Sequence, residues 1–178
     1  MAYWPPHIIN GRELDLLHLE PFILRCPVPV GPGNPLHLQI NVRFSCHCFS
    51  EAFDPARHDP GVIVMDHKTP RAFDLRRYEL SRFLPGLVGA FPERKVHQTY
   101  ERRNYCYFQA LAECDGQIYE VFFNIRRAAA GESHHLNLFV ESAYPSEVLH
   151  AAKRPNAIRF SILALKVFKN EPVRFAVR

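Results

Sequence analysis

The chain has 178 residues, 47% hydrophobic and 12% aromatic, enough apolar side chain for a packed core, which excludes an intrinsically disordered protein. Its length falls in the roughly 100–200-residue range of one globular domain, so a single domain over 1–178 is expected. The 22 Lys and Arg against 18 Asp and Glu leave a net charge of +4, compatible with a polyanionic partner without identifying one.

In chain order, HIINGRELDL places Asn10-Gly11 between residues that can extend, a short-range hairpin signal. The segment PFILRCPV, the turn GPGNP and the run Leu36–Phe49 follow as strands, and Val62–Met65 predicts another. Asp74 stands at an N-cap position before LRRYELSRFL, where Leu75, Tyr78 and Phe83 fall near helical spacing; Pro85 ends that helix or opens a second, GLVGAF. Asn104–Cys114 and Gln117–Arg127 flank Asp115-Gly116, a dipeptide suited to a two-residue hairpin loop. That loop predicts a register in which Cys106 faces Ile125, Phe108 faces Phe123, Ala110 faces Val121 and Ala112 faces Tyr119, all on one face. A third strand, His135–Tyr144, alternates Leu136, Leu138 and Val140 toward the same core. Behind Asn156, AIRFSILALKVFK reads as a capped closing helix, with a strand as the alternative, and PVRFAV ends the sequence as an edge strand.

The sum is an α+β domain: largely antiparallel sheet, from N-terminal strands and a C-terminal three-stranded meander over 104–144, with one central and one C-terminal helix. Residues 1–60 make the strand-rich part and 61–178 the α+β part. The start MAYWPPHIING lacks a basic leader and apolar run, and no later stretch offers about 18–20 uninterrupted apolar residues, so a cytoplasmic protein without a membrane partner is expected. Five cysteines, an odd number without C-x-x-C spacing, predict free thiols in a reducing compartment, with no metal ligands and no cofactor.

The stretch RFSCHCF concentrates two thiols and an imidazole. On an extended strand Leu38, Ile40, Val42, Phe44, Cys46 and Cys48 share one face, which makes the thiols small buried hydrophobes. Gln39, Asn41, Arg43, Ser45 and His47 share the other, and His47 is then separated from its flanking thiols and free to act as an acid, base or phosphate-binding group. The hairpin register places Tyr105 by Arg126, Tyr107 by Asn124 and Gln109 by Phe122, with His135, Asn137, Phe139 and Glu141 on the third strand. Rings interleaved with Arg43, Arg126, Asn124, Asn137 and His135 are what single-stranded RNA recognition uses, stacking on bases and holding phosphate. The competing reading is that the N-terminal strands cover this face and that Tyr107, Phe122 and Phe139 are core.

From residue 150 onward, Lys153, Arg154, Arg159, Lys166, Lys169, Arg174 and Arg178 stand against Glu171 as the only acid. Such a basic end suits a phosphate backbone and equally suits a solvated helix. Metal-independent RNA cleavage needs a base, an acid and a cation for the phosphorane. His47, His97, Thr99, Arg127 and Ser142 are the candidates. Their setting, a three-stranded antiparallel sheet preceded by a helix, is similar to compact ribonuclease toxins of the barnase and RelE type.

The segments SCHCF, FDLRRYELSRFLP, NYCYF, YEVFFNIRR and LNLFVESAY, spread over most of 40–145, carry a further resemblance. In order and spacing the chain resembles a bacterial and prophage-borne family labelled heat-shock or stationary-phase growth adaptation proteins. The resemblance implies a bacterial cytosol or a mobile element and transfers no catalytic residue. The ring-and-arginine face and the acid–base candidates lead to the expectation of a nucleic-acid-directed domain, extending to toxin-type ribonuclease chemistry. The alternative is a non-enzymatic mobile-element protein that inhibits a host immunity or nucleic-acid-processing complex.

Overall fold

The computed structural model describes residues 3–9, 11–99, 104–110, 114, 117–146 and 156–173. Its twelve described strands are β1 (His7–Ile9), β2 (Arg12–Leu14), β3 (Phe22–Val28), β4 (Leu36–Phe44), β5 (Ser50–Ala52), β6 (Ile63–Asp66), β7 (Thr69–Phe73), β8 (Lys95–Gln98), β9 (Tyr105–Ala110), β10 (Ile118–Arg127), β11 (Leu136–Ser146) and β12 (Ala157–Arg159). The described α-helices are α1 (Leu75–Ser81), α2 (Leu84–Gly89) and α3 (Phe160–Phe168). Seven strands form the main sheet in the order β12-β8-β9-β10-β11-β4-β3, antiparallel except where β11 meets β4. β5, β7 and β6 form a small second sheet, and β1 with β2 a hairpin. The chain is thus α+β, with a bent central helix pair and a closing helix.

Strand alternation puts one face of the main sheet into the core. Leu24 and Cys26 on β3, Leu38 to Phe44 at every second position on β4, Leu136, Leu138 and Val140 on β11, and Tyr119, Val121, Phe123 and Ile125 on β10 are all buried. α3 lies against that face, and Phe91, in the 3₁₀ turn Phe91–Glu93, fills its centre. The Phe91 ring centroid is 5.0 Å from Phe123, 5.2 Å from Tyr107 and 5.4 Å from Phe160, within the range where tilted aromatic pairs attract beyond their area burial.

Asp74 caps α1 as its position predicts, accepting the Arg77 N–H at 2.9 Å. Pro85 lies in the first turn of α2, where its missing N–H costs nothing. Of the residues at helical spacing only Tyr78 turns inward; Leu75 and Phe83 are exposed. Tyr78 joins Phe73, and Phe73 joins Phe49 and His7, in a ring cluster beneath the N-terminal hairpin. His18 rests edge-on against Tyr78 and bonds Ser81 Oγ at 2.7 Å. The Ser81 hydroxyl donates to the Tyr78 carbonyl, so His18 Nε2–H donates to Ser81 Oγ.

Three sequence expectations are corrected. β9 and β10 pair Cys106 with Phe122 and Tyr105 with Phe123, three positions away from the expected register. An odd shift turns the described β9 side chains, Tyr105, Cys106 and Tyr107, to the face opposite the expected one, so Tyr105 and Tyr107 enter the core at 7% exposure. The Asp115-Gly116 turn that motivated that register, and Ala112, lie outside the described residues. β4 ends at Phe44 and the chain enters a 3₁₀ turn at Cys46–Cys48, so the strand does not run on to Phe49. Finally, AIR of the closing segment is β12, and the helix begins only at Phe160; Asn156 is no cap, its carbonyl accepting Gln98 N–H at 3.0 Å. Asn10, Lys153, Arg154, Arg174, Arg178 and most of the expected terminal edge strand also lie outside the described residues.

Truncating Phe91 to alanine removes the ring shared by three others and is expected to cost about 3–5 kcal/mol, read as a lower urea midpoint at unchanged slope. Burial lowers the pKa of both His7 and His18 below 6.5. The unfolded chain therefore takes up these protons first. Their contribution to stability is full above pH 6.5 and is lost as the pH falls from there through the folded values. The urea midpoint is expected to fall between about pH 7.5 and 5.5, and His18→Gln, which keeps a donor for Ser81, to make that fall shallower; an equal fall in the variant removes His18 from the account.

Candidate functional site: an outer sheet face and the turn beside it

The sheet face opposite α3, the outer face, is built from cross-strand rows. Arg43, Phe139 and Asn124 lie side by side on β4, β11 and β10, and the next row is Asn41, Asn137 and Arg126. Arg43 and Arg126 are exposed, Phe139, Asn41 and Asn137 partly so, and Asn124 is buried. Farther along, Ser142 pairs with Phe122, and Phe122 with Cys106. Phe122 stacks on Tyr144 with centroids 5.3 Å apart and planes at 23°.

A bulge in β11 organises this face. Phe122 pairs with Ser142 and Phe123 with Val140, so Glu141 is the extra residue. Its carboxylate accepts Nδ2–H of Asn124 at 2.6 Å and Nδ2–H of Asn104, while its carbonyl accepts the Ser45 hydroxyl. The bulge also shifts parity, so Ser142 shares the outer face with Arg126, where unbroken alternation from Leu136 would have turned it inward. Beyond Val140, β11 has no β4 partner, and the Cys46–Cys48 turn and α1 pack there instead. Arg77 of α1 ties the parts together, donating to the carbonyls of Ser50 at 2.9 Å and His47 at 3.3 Å, with its guanidinium 5.3 Å from the Tyr144 ring centroid.

The turn is a second cluster. Ser45 Oγ accepts His47 N–H at 3.1 Å, and Ser50 Oγ donates to the Cys46 carbonyl at 2.7 Å while accepting Arg71 Nε–H at 2.8 Å. Asp66 ends β6 at the tip of the β6–β7 hairpin, where His67 takes a positive φ of 53°. Asp66 Oδ2 lies 2.9 Å from His47 Nε2, and ligand atoms of Cys46, His47 and Asp66 all lie within 4.8 Å of one another. The His47 hydrogen bond holds the Asp66 carboxyl below its usual pKa, whereas burial pushes Cys46 up and Cys48 up to about 12. Both thiols are buried, as apolar alternation implied, but the 3₁₀ turn sets His47 beside Cys46. The expected separation of imidazole from thiol is overturned because it required a strand.

Of the other residues singled out from sequence, Arg43, Phe122, Asn124, Arg126 and Asn137 share the outer face. Tyr105 and Tyr107 lie on the opposite face, the consequence of the register. His135 accepts Gln39 N–H through Nδ1 at 2.9 Å and meets Phe168 edge-on at 5.6 Å, which commits the ring to the end of the β11–β4 ladder. Thr99 directs its hydroxyl to the Asn104 carbonyl at 3.0 Å. His97 on β8 pairs with Cys106 on β9 and lies three strands away from Ser142 on β11, a span of about 14 Å at ~4.8 Å per strand. Arg127 pairs with Leu136, one position out of phase with Arg126, and is exposed. The five acid–base candidates are therefore not gathered around one phosphate. Sequence reasoning missed Asp66 and Arg77, whose roles depend on a hairpin tip and a helix approaching the same strand end.

Two comparisons place the chain among known proteins. The model of the YjaZ family matches residues 6–168. Protein YjaZ of Escherichia coli (strain K12) is 28% identical over 141 residues, covering 77% of this chain and 74% of the relative. No solved structure matches.

Glu141→Ala leaves the Asn124 amide, 9% exposed, without its carboxylate and is expected to cost about 1–3 kcal/mol in chemical unfolding. Glu141→Gln, which keeps an acceptor oxygen, is expected to cost less; equal losses would assign the effect to the bulge backbone.

Proposed function

The chain belongs to the YjaZ family, and on that premise we propose that its outer sheet face binds single-stranded nucleic acid without cleaving it. The observation that carries this reading is the pair of exposed guanidiniums, Arg43 and Arg126, set in adjacent rows around Phe139 and the amides of Asn41 and Asn137. Guanidinium groups hold phosphates, a partly exposed ring offers a stacking surface, and carboxamides match base edges. Asn124, buried at the β10 end of the Arg43–Phe139 row, anchors that row through its bond to Glu141.

The ribonuclease extension is left out of the proposal. His97 and Ser142 are strands apart, and His47 is engaged with Asp66, so a general acid and base flanking one phosphodiester is not what this arrangement favours. A role in bacterial adaptation to heat or stationary phase, and carriage by prophage, belong to the same proposal. A protein partner, such as a host nucleic-acid-processing complex, is the second reading. The inward turn of Tyr105 and Tyr107 favours it, because it halves the number of rings a single strand would stack upon.

Fluorescence anisotropy with a short single-stranded RNA tests the proposal. Binding should weaken steeply with salt, and the Arg43→Ala, Arg126→Ala double variant should lose at least about tenfold in affinity. Removing two phosphate contacts at ~0.7 each should make the log–log salt slope shallower by about 1.4. The RNA should remain full length. Unchanged affinity in a folded double variant would remove the face from nucleic-acid binding, and absence of RNA binding at low salt would favour the protein-partner reading.

A further inference from the structure

The turn after β4 and the tip of the β6–β7 hairpin bring a thiol, an imidazole and a carboxylate to one point. We propose that Cys46, His47 and Asp66 form a three-ligand site for a borderline-soft divalent cation, zinc in the first instance.

The donor set is the first argument. Sulfur, imidazole nitrogen and carboxylate oxygen are the three ligand types zinc takes, and three protein ligands with a fourth position open is the pattern of a reactive rather than a purely structural zinc site. Geometry is the second. The three ligand atoms lie within 4.8 Å of one another, while bonds of about 2.0–2.3 Å to a tetrahedral ion require separations of roughly 3.3–3.7 Å. The needed contraction is about an ångström, and an exposed hairpin tip at His67 and Lys68 leaves Asp66 room to make it. In the ion-bound form the direct contact between His47 and Asp66 gives way to both groups coordinating the same centre.

The surroundings supply the support that ligating groups need. Ser45 fixes the His47 backbone N–H, Ser50 fixes the Cys46 carbonyl, and Arg77 holds the carbonyls of His47 and Ser50. Access comes from one side. His47 and Asp66 side chains are 37% and 35% exposed, whereas Cys46 is 1% exposed and forms the floor. Arg71 is the opposing charge: held by Ser50, it acts electrostatically on both Cys46 and Asp66. On binding, the thiol gives its proton to solvent, so thiolate and carboxylate neutralise the dication. Arg71 then lies beside a neutralised centre and favours an anionic oxygen ligand, carboxylate or phosphate, at the open position.

The same three residues also spell a nucleophile, base and orienting acid. The buried floor counts against that reading, since a substrate carbonyl must reach sulfur while a bare ion needs only the gap between imidazole and carboxylate. The cation therefore accounts for more of the arrangement.

The test is cobalt titration of the full chain, kept reduced with a phosphine. Wild type should give a thiolate-to-cobalt charge-transfer band in the near ultraviolet that saturates at one equivalent and is displaced by zinc. Cys46→Ser should lose the band. Because that substitution sits in the core, Asp66→Asn and His47→Gln serve as the deciding variants, being partly exposed; each should keep the native circular dichroism spectrum and bind cobalt at least about tenfold more weakly. Absence of a thiolate band in wild type overturns the proposal, and so does a band that persists with unchanged affinity in Asp66→Asn and His47→Gln, which would place cobalt on another thiol.

Discussion

Four alternate residues of β10, Tyr119, Val121, Phe123 and Ile125, are buried on the face that Phe91 and α3 cover. Because strand side chains alternate with a period of two, Phe122, Asn124 and Arg126 must take the other face. The pairing of β10 with β9 then carries the same choice sideways, drawing Tyr105 and Tyr107 inward, and its pairing with β11 carries Asn137 and Phe139 outward. Few other contacts in the molecule constrain so much, since slipping the ladder by one position exchanges an apolar layer for a polar one at a cost no surface interaction can offset.

A second constraint acts where the main sheet stops being regular. β4 ends at Phe44 just where β11 bulges at Glu141, and Ser45 bonds the bulge carbonyl. The two irregularities stabilise each other. The bulge supplies an acceptor for the residue that leaves the strand, and the turn that follows fills the space beside the unpaired stretch of β11. Both candidate regions hang on this junction: Glu141 buttresses the outer face through Asn104 and Asn124, and the turn presents Cys46 and His47 to the hairpin that carries Asp66. Arg77, reaching from α1 to the turn and to Tyr144, makes the two regions mechanically one.

Much of the fold was readable from residue order. Alternation in Leu36–Phe44 and Leu136–Val140, the Asp74 cap and the Pro85 break are local signals, and each matches the element observed. The register of β9 against β10 was not readable, because it was inferred from a turn dipeptide while the core selects register through the bulk of Phe91 and Phe160 on one side, a non-local preference. The end of β4 was hidden for a related reason: Cys46 and Cys48 continue the apolar row so well that periodicity cannot distinguish a strand from a 3₁₀ turn with the same inward residues. At the site, the arginine and asparagine rows followed from alternation once β11 was placed, whereas Asp66 and Arg77 arrive from elements distant in sequence and carry no motif.

The outer face and the turn thus share one origin, a sheet whose inner layer is fixed by aromatic packing and whose irregular end is clasped by a short polar network. Interstrand nuclear Overhauser contacts between β9 and β10 in the isotope-labelled protein test that origin most directly. The account requires close backbone contacts for the pairs Cys106 with Phe122 and Tyr105 with Phe123. Contacts for Cys106 with Ile125 and Tyr105 with Arg126 would turn the tyrosines outward and contradict the assignment of the two faces.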